Sequence, residues 1–175
     1  GIYFMCPIEP ALAVDNTIQG NIVGADATGL AAIPNAEHGI YLSGPMRTTI
    51  GGAAPGAGNL LSGNALNGLE INGTFNVTPL DMTVRGNLFG TDATGDAALP
   101  NGGHGVAVAK GARGIALGGA GAGEGNTISG NAGSGVFFHT DAEGECCQTV
   151  DILGNRIGVG RSGGAQPGGH SDLAA

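Results

Sequence analysis

Short apolar runs separated by glycine-rich turns recur along this chain as a long internal repeat. Residues 86–95 echo residues 20–29, and the Ser-Gly-Asn triplet at 129–131 echoes the one at 62–64. Such a repeat is typical of a solenoid, in which each unit buries its apolar face against its neighbours. Apolar and polar residues alternate within the runs and helical periodicity is absent, so the pattern predicts an all-β chain.

One strand of each coil is the clearest, because its first and third residues are apolar while its second residue varies. Alternation with a period of two points the apolar pair inward and the middle residue outward. The predicted inward pairs are Ile2/Phe4, Ile40/Leu42, Leu69/Ile71, Val106/Val108 and Val136/Phe138. The predicted outward residues between them are Tyr3, Tyr41, Glu70, Ala107 and Phe137.

A second interior stack is predicted just before recurring Gly-Asn corners. Its members are Ile18, Leu61, Val84, Ile128 and Ile152. Ile50 and Leu117, each followed by Gly-Gly, mark a third strand that we expect in the long coils.

Five asparagines follow a glycine at the end of an apolar run, and we predict that they mark one corner of successive coils. They are Asn21, Asn64, Asn87, Asn131 and Asn155. The intervals between them are alternately long and short, which indicates alternating long and short coils, and the long coils carry insertions at 25–38 and 91–104. Asparagine tolerates turn geometry, and identical side chains one coil apart can form a hydrogen-bonded ladder. We therefore assign these residues a structural role.

These patterns predict one β-solenoid domain, residues 1–175, of about five to six coils, with a 67-residue super-repeat of one long and one short coil. The chain begins with Gly1 in the middle of a repeat, and both of its ends carry apolar or glycine-rich sequence without a polar cap. We expect a fragment or processed piece of a longer repeat protein, or a subunit that assembles end to end into a filament.

The composition narrows the function classes. The chain has 37 glycines in 175 residues and a net charge of −8, with six Lys and Arg residues scattered along it. Nucleic-acid binding requires a basic surface and is not expected. No apolar run reaches the roughly 18 residues of a membrane-spanning helix, so no membrane span is expected.

The aspartates of the insertions are the candidates for a metal site. Calcium prefers clustered oxygen ligands, which makes Asp26, Asp92 and Asp96 candidate ligands. Asx turns explain the same residues, since an aspartate side chain can bond the backbone of its own turn. The Asx turn is the preferred interpretation, and no other cofactor is expected.

Other reactive side chains give no clear site from the sequence. His38, His104 and His170 recur at a constant interval and are interpreted as turn residues. Glu70 and Arg85 are candidates for a surface ion pair. Further features are the acidic run Asp141, Glu143 and Glu145, the thiols Cys6, Cys146 and Cys147, whose state is open, and the glycosylation sequons at Asn72 and Asn76.

Several motifs together carry a family resemblance. They are Gly-Asn-Leu-Phe-Gly-Thr-Asp-Ala-Thr-Gly at 86–95, Pro-Asn at 100–101, His-Gly-Val at 104–106 and Asn-Thr-Ile-Ser-Gly-Asn at 126–131. The chain resembles the right-handed parallel β-helix repeat proteins of bacterial cell-surface and secreted origin. The resemblance implies that fold and an extracellular or cell-surface location, and it carries over no catalytic residue. The last copy, 158–163, departs from the pattern because it lacks Asp-Ala-Thr.

Three function classes remain open. The preferred one is a non-enzymatic structural or adhesive module whose partners are other copies or flanking repeats, with surface glycans as further partners. The second is a carbohydrate-active enzyme, such as a polysaccharide lyase or hydrolase, which needs a cluster of acids and bases that the outward stripes lack. The third is a glycan- or calcium-binding module, supported by the outward rings Tyr3, Tyr41 and Phe137.

Overall fold

The computed structural model describes residues 1–5, 15–44, 47–73, 81–109, 112–139 and 148–164, and all statements on structure concern these residues. They form fifteen strands arranged in three parallel sheets of five strands each. The described residues contain no helix, and hence none long and apolar enough to cross a membrane. The prediction of an all-β parallel solenoid is confirmed.

Each coil contributes one strand to each sheet, in the order sheet 1, sheet 2, sheet 3. Sheet 1 contains β1 (Ile2–Met5), β4 (Ile40–Ser43), β7 (Leu69–Asn72), β10 (Val106–Ala109) and β13 (Val136–His139). Sheet 2 contains β2 (Thr17–Ile18), β5 (Thr49–Gly51), β8 (Met82–Arg85), β11 (Arg113–Gly118) and β14 (Gln148–Leu153). Sheet 3 contains β3 (Ile22–Val23), β6 (Leu60–Leu61), β9 (Leu88–Phe89), β12 (Thr127–Ile128) and β15 (Arg156–Ile157).

Long and short coils alternate as predicted. The pairing of sheet 1 aligns the first residues of its strands in one row, and the chain length between neighbours in this row is alternately longer and shorter: Ile2, Ile40, Leu69, Val106 and Val136. The segment from Ile2 to Gly39 is a long coil and the one from Ile40 to Gly68 is a short coil, and together they make one super-repeat. Four turns lead from β1 to β13, which is slightly fewer than the predicted five to six coils.

The predicted inside and outside of sheet 1 are confirmed in the middle coils, whereas Phe138 of the last coil, predicted to point inward, is 36% exposed. The two inward rows and the outward row between them run in register through all five strands. The inner side chains of the middle coils are fully buried, as at Ile40, Leu69 and Ile71. Burying one such side chain contributes roughly 1.5–3 kcal/mol to stability, so the stacked rows stabilise each coil against its neighbours.

The prediction of a second interior stack as one row is wrong, because its members lie in two sheets, sheet 2 and sheet 3. Sheet 2 aligns Ile18, Ile50, Val84, Leu117 and Ile152. Sheet 3 aligns Val23, Leu61, Phe89, Ile128 and Ile157. Every coil therefore has three strands. Ile50 and Leu117, predicted to mark a third strand of the long coils, lie instead on the sheet 2 strands of short coils. Strands of both sheets are followed by Gly-Asn, as at Gly20-Asn21 and Gly63-Asn64, so this dipeptide does not distinguish the two sheets.

The predicted asparagine ladder is corrected in the same way, since the structure contains two ladders. The first lies at the corner between sheets 2 and 3, where side-chain amides are linked at 2.9–3.0 Å: Asn21, Asn59, Asn87, Asn126 and Asn155. The second lies at the corner between sheets 3 and 1, with links of 2.8–2.9 Å: Asn35, Asn64, Asn101 and Asn131. Of the five asparagines that the sequence predicts in one ladder, three lie in the first ladder and two in the second.

Each interior asparagine binds the coils on both sides of it. The Asn87 amide donates to Ile50 O at 3.0 Å and to Asn126 Oδ1 at 3.0 Å, while its Oδ1 accepts the backbone N–H of Asn59 at 3.0 Å. Asn87 is fully buried, so these bonds satisfy polar groups that water cannot reach. Gly90, with φ of 79°, passes so close to Asn131 that an added Cβ would collide with the Asn131 amide.

The two insertions, 25–38 and 91–104, fold back over the outer side of sheet 3. An antiparallel bridge closes each loop, Ala25 with Ala32 and Thr91 with Ala98. Leu60 points outward from sheet 3, yet it is only 5% exposed because the first loop lies on it. The insertions therefore cover one outer face of the solenoid and leave sheet 1 open.

The insertion loops also stack on one another with a spacing of two coils. The N–H of Ala93 donates to Gly29 O at 2.9 Å, and the N–H of Arg161 donates to Gly95 O at 2.8 Å. The last loop keeps this backbone path although its sequence lacks Asp-Ala-Thr. The stacking thus depends on the backbone rather than on the aspartates.

Candidate functional site

The outer face of sheet 1 carries a row of aromatic rings. Tyr3 and Tyr41 stack with ring centroids 4.4 Å apart and planes inclined by 10°. Their rings are held in place because parallel pairing sets residues of neighbouring coils directly opposite each other, about 4.8 Å apart. Tyr3 is 55% exposed, so the pair offers a rigid aromatic surface to the solvent.

A groove continues this face beyond the tyrosines. Ala107 occupies the outward position of β10, and its methyl group leaves space between Glu70 on one side and Phe137 on the other. The resulting cavity has a volume of about 430 Å³, and its walls include His104 and His139. This volume lies within the range of small-ligand sites.

Two histidines from the turns before sheet 1 flank the groove. Nδ1 of His38 accepts the backbone N–H of Asn67 at 3.3 Å, and Nδ1 of His104 accepts that of Ser134 at 3.0 Å. A neutral imidazole with an accepting Nδ1 carries its proton on Nε2. Both rings therefore hold a fixed tautomer with an Nε2–H donor.

His104 is additionally fixed by stacking. Its ring lies on Phe137 with centroids 4.3 Å apart and planes inclined by 6°. Burial lowers the pKa of His104, and the neighbouring His139 imidazole acts in the same direction, against the opposing effect of Glu70 and the Ser134 bond. His104 is therefore neutral at pH 7 and serves as a hydrogen-bond donor rather than as a charge.

Glu70 is the acidic group of the groove. Its Oε2 accepts the Asn67 side-chain amide at 2.7 Å, and its Oε1 lies 3.6 Å from His139 Nε2. The predicted ion pair between Glu70 and Arg85 is wrong, because Arg85 instead bonds Glu124 at 2.8 Å. Asn67 bridges the site further, since its Oδ1 accepts the backbone N–H of His104 at 2.7 Å.

The groove thus combines flat rings with fixed donors and one carboxylate acceptor. Aromatic faces bury the apolar faces of flat or ring-shaped ligands, and the polar groups fix their orientation. The donors are the two Nε2–H groups, while Glu70 accepts. This combination suits a ligand with both apolar faces and hydroxyl groups.

The aspartates proposed for calcium form the turns of the insertion loops. Oδ1 of Asp26 accepts the Thr28 hydroxyl at 2.8 Å and the Leu30 N–H at 3.1 Å. Oδ1 of Asp92 accepts the Thr94 hydroxyl at 2.6 Å and the Gly95 N–H at 3.1 Å. Oδ1 of Asp92 also accepts the Thr94 N–H at 3.1 Å, which is the bond of an Asx turn, and both aspartates bond the backbone of their own loops.

Asp96 lies apart from this turn geometry. Its Oδ1 accepts the backbone N–H of Ser162 at 2.7 Å, which ties the second insertion loop to the last one. Within the described residues, no group of three or more His, Cys, Asp or Glu side chains is placed to hold a metal ion. The structure thus brings Asp26, Asp92 and Asp96 into loop stacking without gathering them at one point.

Some predicted features lie outside the described residues and are not placed by the structure. They are Cys6, Cys146, Cys147, His170, Asn76 and the acidic run Asp141, Glu143 and Glu145. Asn72 is described, and it is buried at the end of β7.

The cluster around Glu70 is not predicted by the sequence pattern, because its members occupy different positions along their strands and turns. His139 occupies the fourth position of β13, opposite Ala109, and reaches Glu70 across two alanine positions. Two successive outward alanines in β10 are the signal that could have revealed the groove, since they leave room above the sheet.

Comparison with protein-family models, with curated proteins and with solved structures found no match for this chain. The functional interpretation therefore rests on the groove and its chemistry.

Proposed function

We propose that this chain is a structural and adhesive β-solenoid module of an extracellular or cell-surface protein, and that the outer face of sheet 1 binds a glycan. The observation that supports it most is the row of exposed rings beside fixed imidazole donors. Tyr3 is 55% exposed and Phe137 is 38% exposed, so part of each ring remains accessible to a ligand although Tyr41 and His104 cover one face of each.

The ligand class follows from the charges of the groove. Glu70 is a carboxylate acceptor, while His104 is held neutral because burial lowers its pKa. The described residues that line the groove include no lysine or arginine, so an acidic sugar would meet no permanent cation. A neutral oligosaccharide fits best, with its ring faces on Phe137 and its hydroxyls bonded to the imidazoles and Glu70.

Calorimetric titration with neutral and acidic oligosaccharides tests this proposal. We expect cellohexaose, xylohexaose or mannohexaose to bind and hexagalacturonate to bind much more weakly. Phe137→Ala should reduce affinity by about tenfold, because an aromatic contact contributes on the order of 1 kcal/mol beyond its area.

The matched control is Leu153→Ala, which removes an exposed apolar side chain from β14 in sheet 2. It should bind like the wild type. If no neutral oligosaccharide binds, or if both variants lose affinity equally, the assignment of this face is wrong. Assembly into filaments stays a separate prediction, which electron microscopy of the purified protein tests.

A carbohydrate-active enzyme is the second candidate, favoured by the 3.6 Å approach of His139 Nε2 to Glu70 Oε1. A carboxylate beside an imidazole can move a proton to or from a sugar oxygen. Glu70→Gln would then abolish the release of new reducing ends from a polysaccharide. If the wild-type protein releases none from the polysaccharides whose oligomers it binds, the binding role alone remains.

A further inference from the structure

The chain contains two tyrosines, Tyr3 and Tyr41, and the fold places one directly on the other. Tyr3 lies on β1 and Tyr41 on β4, and the parallel pairing of these strands aligns the two residues in register. The ring centroids are 4.4 Å apart and the planes are inclined by 10°. Two phenols that are far apart in the sequence are thus stacked across two successive coils.

The stack also aligns the reactive carbons of the two rings. Side chains at paired positions of parallel strands leave the sheet in the same direction, so both hydroxyl groups lie at the outer end of the stack. Partial desolvation raises the pKa of Tyr3, and the neighbouring Tyr41 phenol and the Glu37 charge raise it further. Each carbon ortho to a hydroxyl on one ring therefore lies close to an ortho carbon of the other ring.

The tyrosine pair is open to reagents in solution. Tyr3 is 55% exposed and Tyr41 is partly exposed. The two insertion loops lie over sheet 3 and cross neither ring. A one-electron oxidant can therefore reach Tyr3 at the surface while the Tyr41 ring stays in contact with it.

Strand β1 can adjust its position without disturbing the middle of the core. Among the described strands it pairs with β4 alone, and its inward residues Ile2 and Phe4 are only partly buried, whereas Ile40 and Leu42 of β4 are fully buried. Segments with few buried contacts open at a low cost in free energy. A tilt of the rings and a small shift of β1 can therefore bring the ortho carbons from stacking distance to bonding distance.

From this stacked contact we infer that Tyr3 and Tyr41 form an oxidative cross-linking site, at which a peroxidase with hydrogen peroxide joins the two rings through a bond between ortho carbons. Each phenol loses one hydrogen atom and becomes a phenoxyl radical, while hydrogen peroxide accepts the two electrons and two protons and is reduced to two water molecules. The two radicals pair their electrons in the new carbon–carbon bond. The hydrogen on each bonded carbon then moves to the ring oxygen, which restores both hydroxyl groups.

The stacked arrangement favours this coupling over a reaction between molecules. Holding two reacting groups in contact raises their effective concentration far above that of separate molecules in dilute solution. The bond would close the first coil covalently from β1 to β4 and would lower the conformational entropy of the unfolded chain. The inference concerns the tyrosine pair and does not depend on glycan binding.

The test treats the dilute, monomeric protein with a peroxidase and hydrogen peroxide, after alkylation of its three cysteines so that thiols do not consume the radicals. We expect dityrosine fluorescence, a monomer whose mass falls by that of two hydrogen atoms, and a digest in which the peptides of Tyr3 and Tyr41 are joined. Tyr3→Phe and Tyr41→Phe should each abolish these signals. The cross-linked monomer should also melt at a temperature several degrees higher.

The matched control Tyr3→Phe/Phe137→Tyr keeps two tyrosines but separates them by three strand spacings, about 14 Å. Its intramolecular dityrosine signal should be lower than that of the wild type by about tenfold or more. N-acetyltyrosine in the same reaction shows that the oxidant is active. With an active oxidant and a cooperative melt of the alkylated protein, the inference is overturned if the wild type couples only between molecules or not at all. An equal intramolecular signal in the control variant overturns it as well.

Discussion

Sheets 1 and 3 have the same parallel architecture, yet their outer faces differ in chemistry and in the loops that lie over them. The outer row of sheet 1 presents stacked rings, with Tyr3 at 55% exposure. The outer row of sheet 3 presents aliphatic side chains that loops cover, with Leu60 at 5% and Leu88 at 8% exposure. Loops lie over the middle of the sheet 3 row, while its ends, Ile22 at 45% exposure and Arg156, reach the solvent.

The placement of the insertions explains this difference. Both insertions leave the corner after sheet 3 and fold back over that sheet, so neither crosses sheet 1. One insertion in every second coil suffices, because the Ala93 N–H reaches Gly29 O of the loop two coils earlier. The alternation of long and short coils thus places an insertion over sheet 3 in every second coil, and neither insertion crosses sheet 1.

The largest expected effect comes from breaking the core that supports both faces. Val84 is fully buried in β8, and Val84→Asp would bury a carboxylate without a partner. We expect a loss of more than about 4 kcal/mol in the free energy of unfolding and no cooperative melt, because an unpaired buried charge is among the costliest changes.

The control for this change is Thr83→Asp, the neighbouring residue of β8, which points to the outer side. It should lower the free energy of unfolding by less than about 1 kcal/mol. Circular dichroism melts of both variants measure these losses in stability. A Val84→Asp protein as stable as the Thr83→Asp protein would refute the inside and outside assignment.

The second effect in size concerns the ladder between sheets 2 and 3. Asn87→Ala would remove the bonds to Ile50 O, to the Asn59 N–H and to Asn126 Oδ1. We expect a loss of about 3 kcal/mol, measured by chemical denaturation. Asn21→Ala, at a partly exposed step of the same ladder, should lose about 1 kcal/mol. Equal losses would show that burial does not set the strength of the ladder.

The third and smallest effect separates the two faces by pH. Burial raises the pKa of Asp92, but bonds from the Thr94 hydroxyl and from backbone N–H groups outweigh it and hold this pKa below 3.8. The resulting stability is complete above the ordinary pKa of an aspartate and is lost as the pH falls through the lowered value. Asp92→Asn should therefore be about 1 kcal/mol less stable at pH 7, and the difference should vanish at the acid end.

Thermal melts from pH 7 down to pH 2 measure this closing difference. The same substitution should leave oligosaccharide binding unchanged, since Asp92 lies in the insertion that covers sheet 3. A difference that persists at the lowest pH would mean that shape rather than charge makes Asp92 favourable.

The sequence predicted sheet 1 correctly because four-residue strands with strict alternation carry their own register. Sheet 3 consists of two-residue strands, which are too short to show a period. Each ladder contains asparagines that follow a glycine, as at Asn21 and Asn64, so Gly-Asn alone cannot separate the two corners. The discriminating signal is a large apolar residue followed by Gly or Ser, two and three positions after each asparagine of the first ladder, as in Asn59-Leu60-Leu61-Ser62.

The groove was less predictable than the fold for a physical reason. Its rings lie in the outward row that alternation predicted, but its polar groups come from different positions in the coil. Asn67 and His104 belong to turns, and His139 to the end of a strand. These groups lie together because their side chains extend over Ala107. The spacing of the residues along the chain does not predict this contact.

We propose above that the outer face of sheet 1 is the glycan-binding surface. Nuclear magnetic resonance titration of isotopically labelled protein with the neutral oligosaccharide that binds best tests it most directly. We predict shift changes at the amides of His104, Ala107 and Phe137, and none at Leu60, Leu88 and Thr127 of sheet 3. Shift changes confined to sheet 3, or spread evenly over the molecule, would contradict the claim.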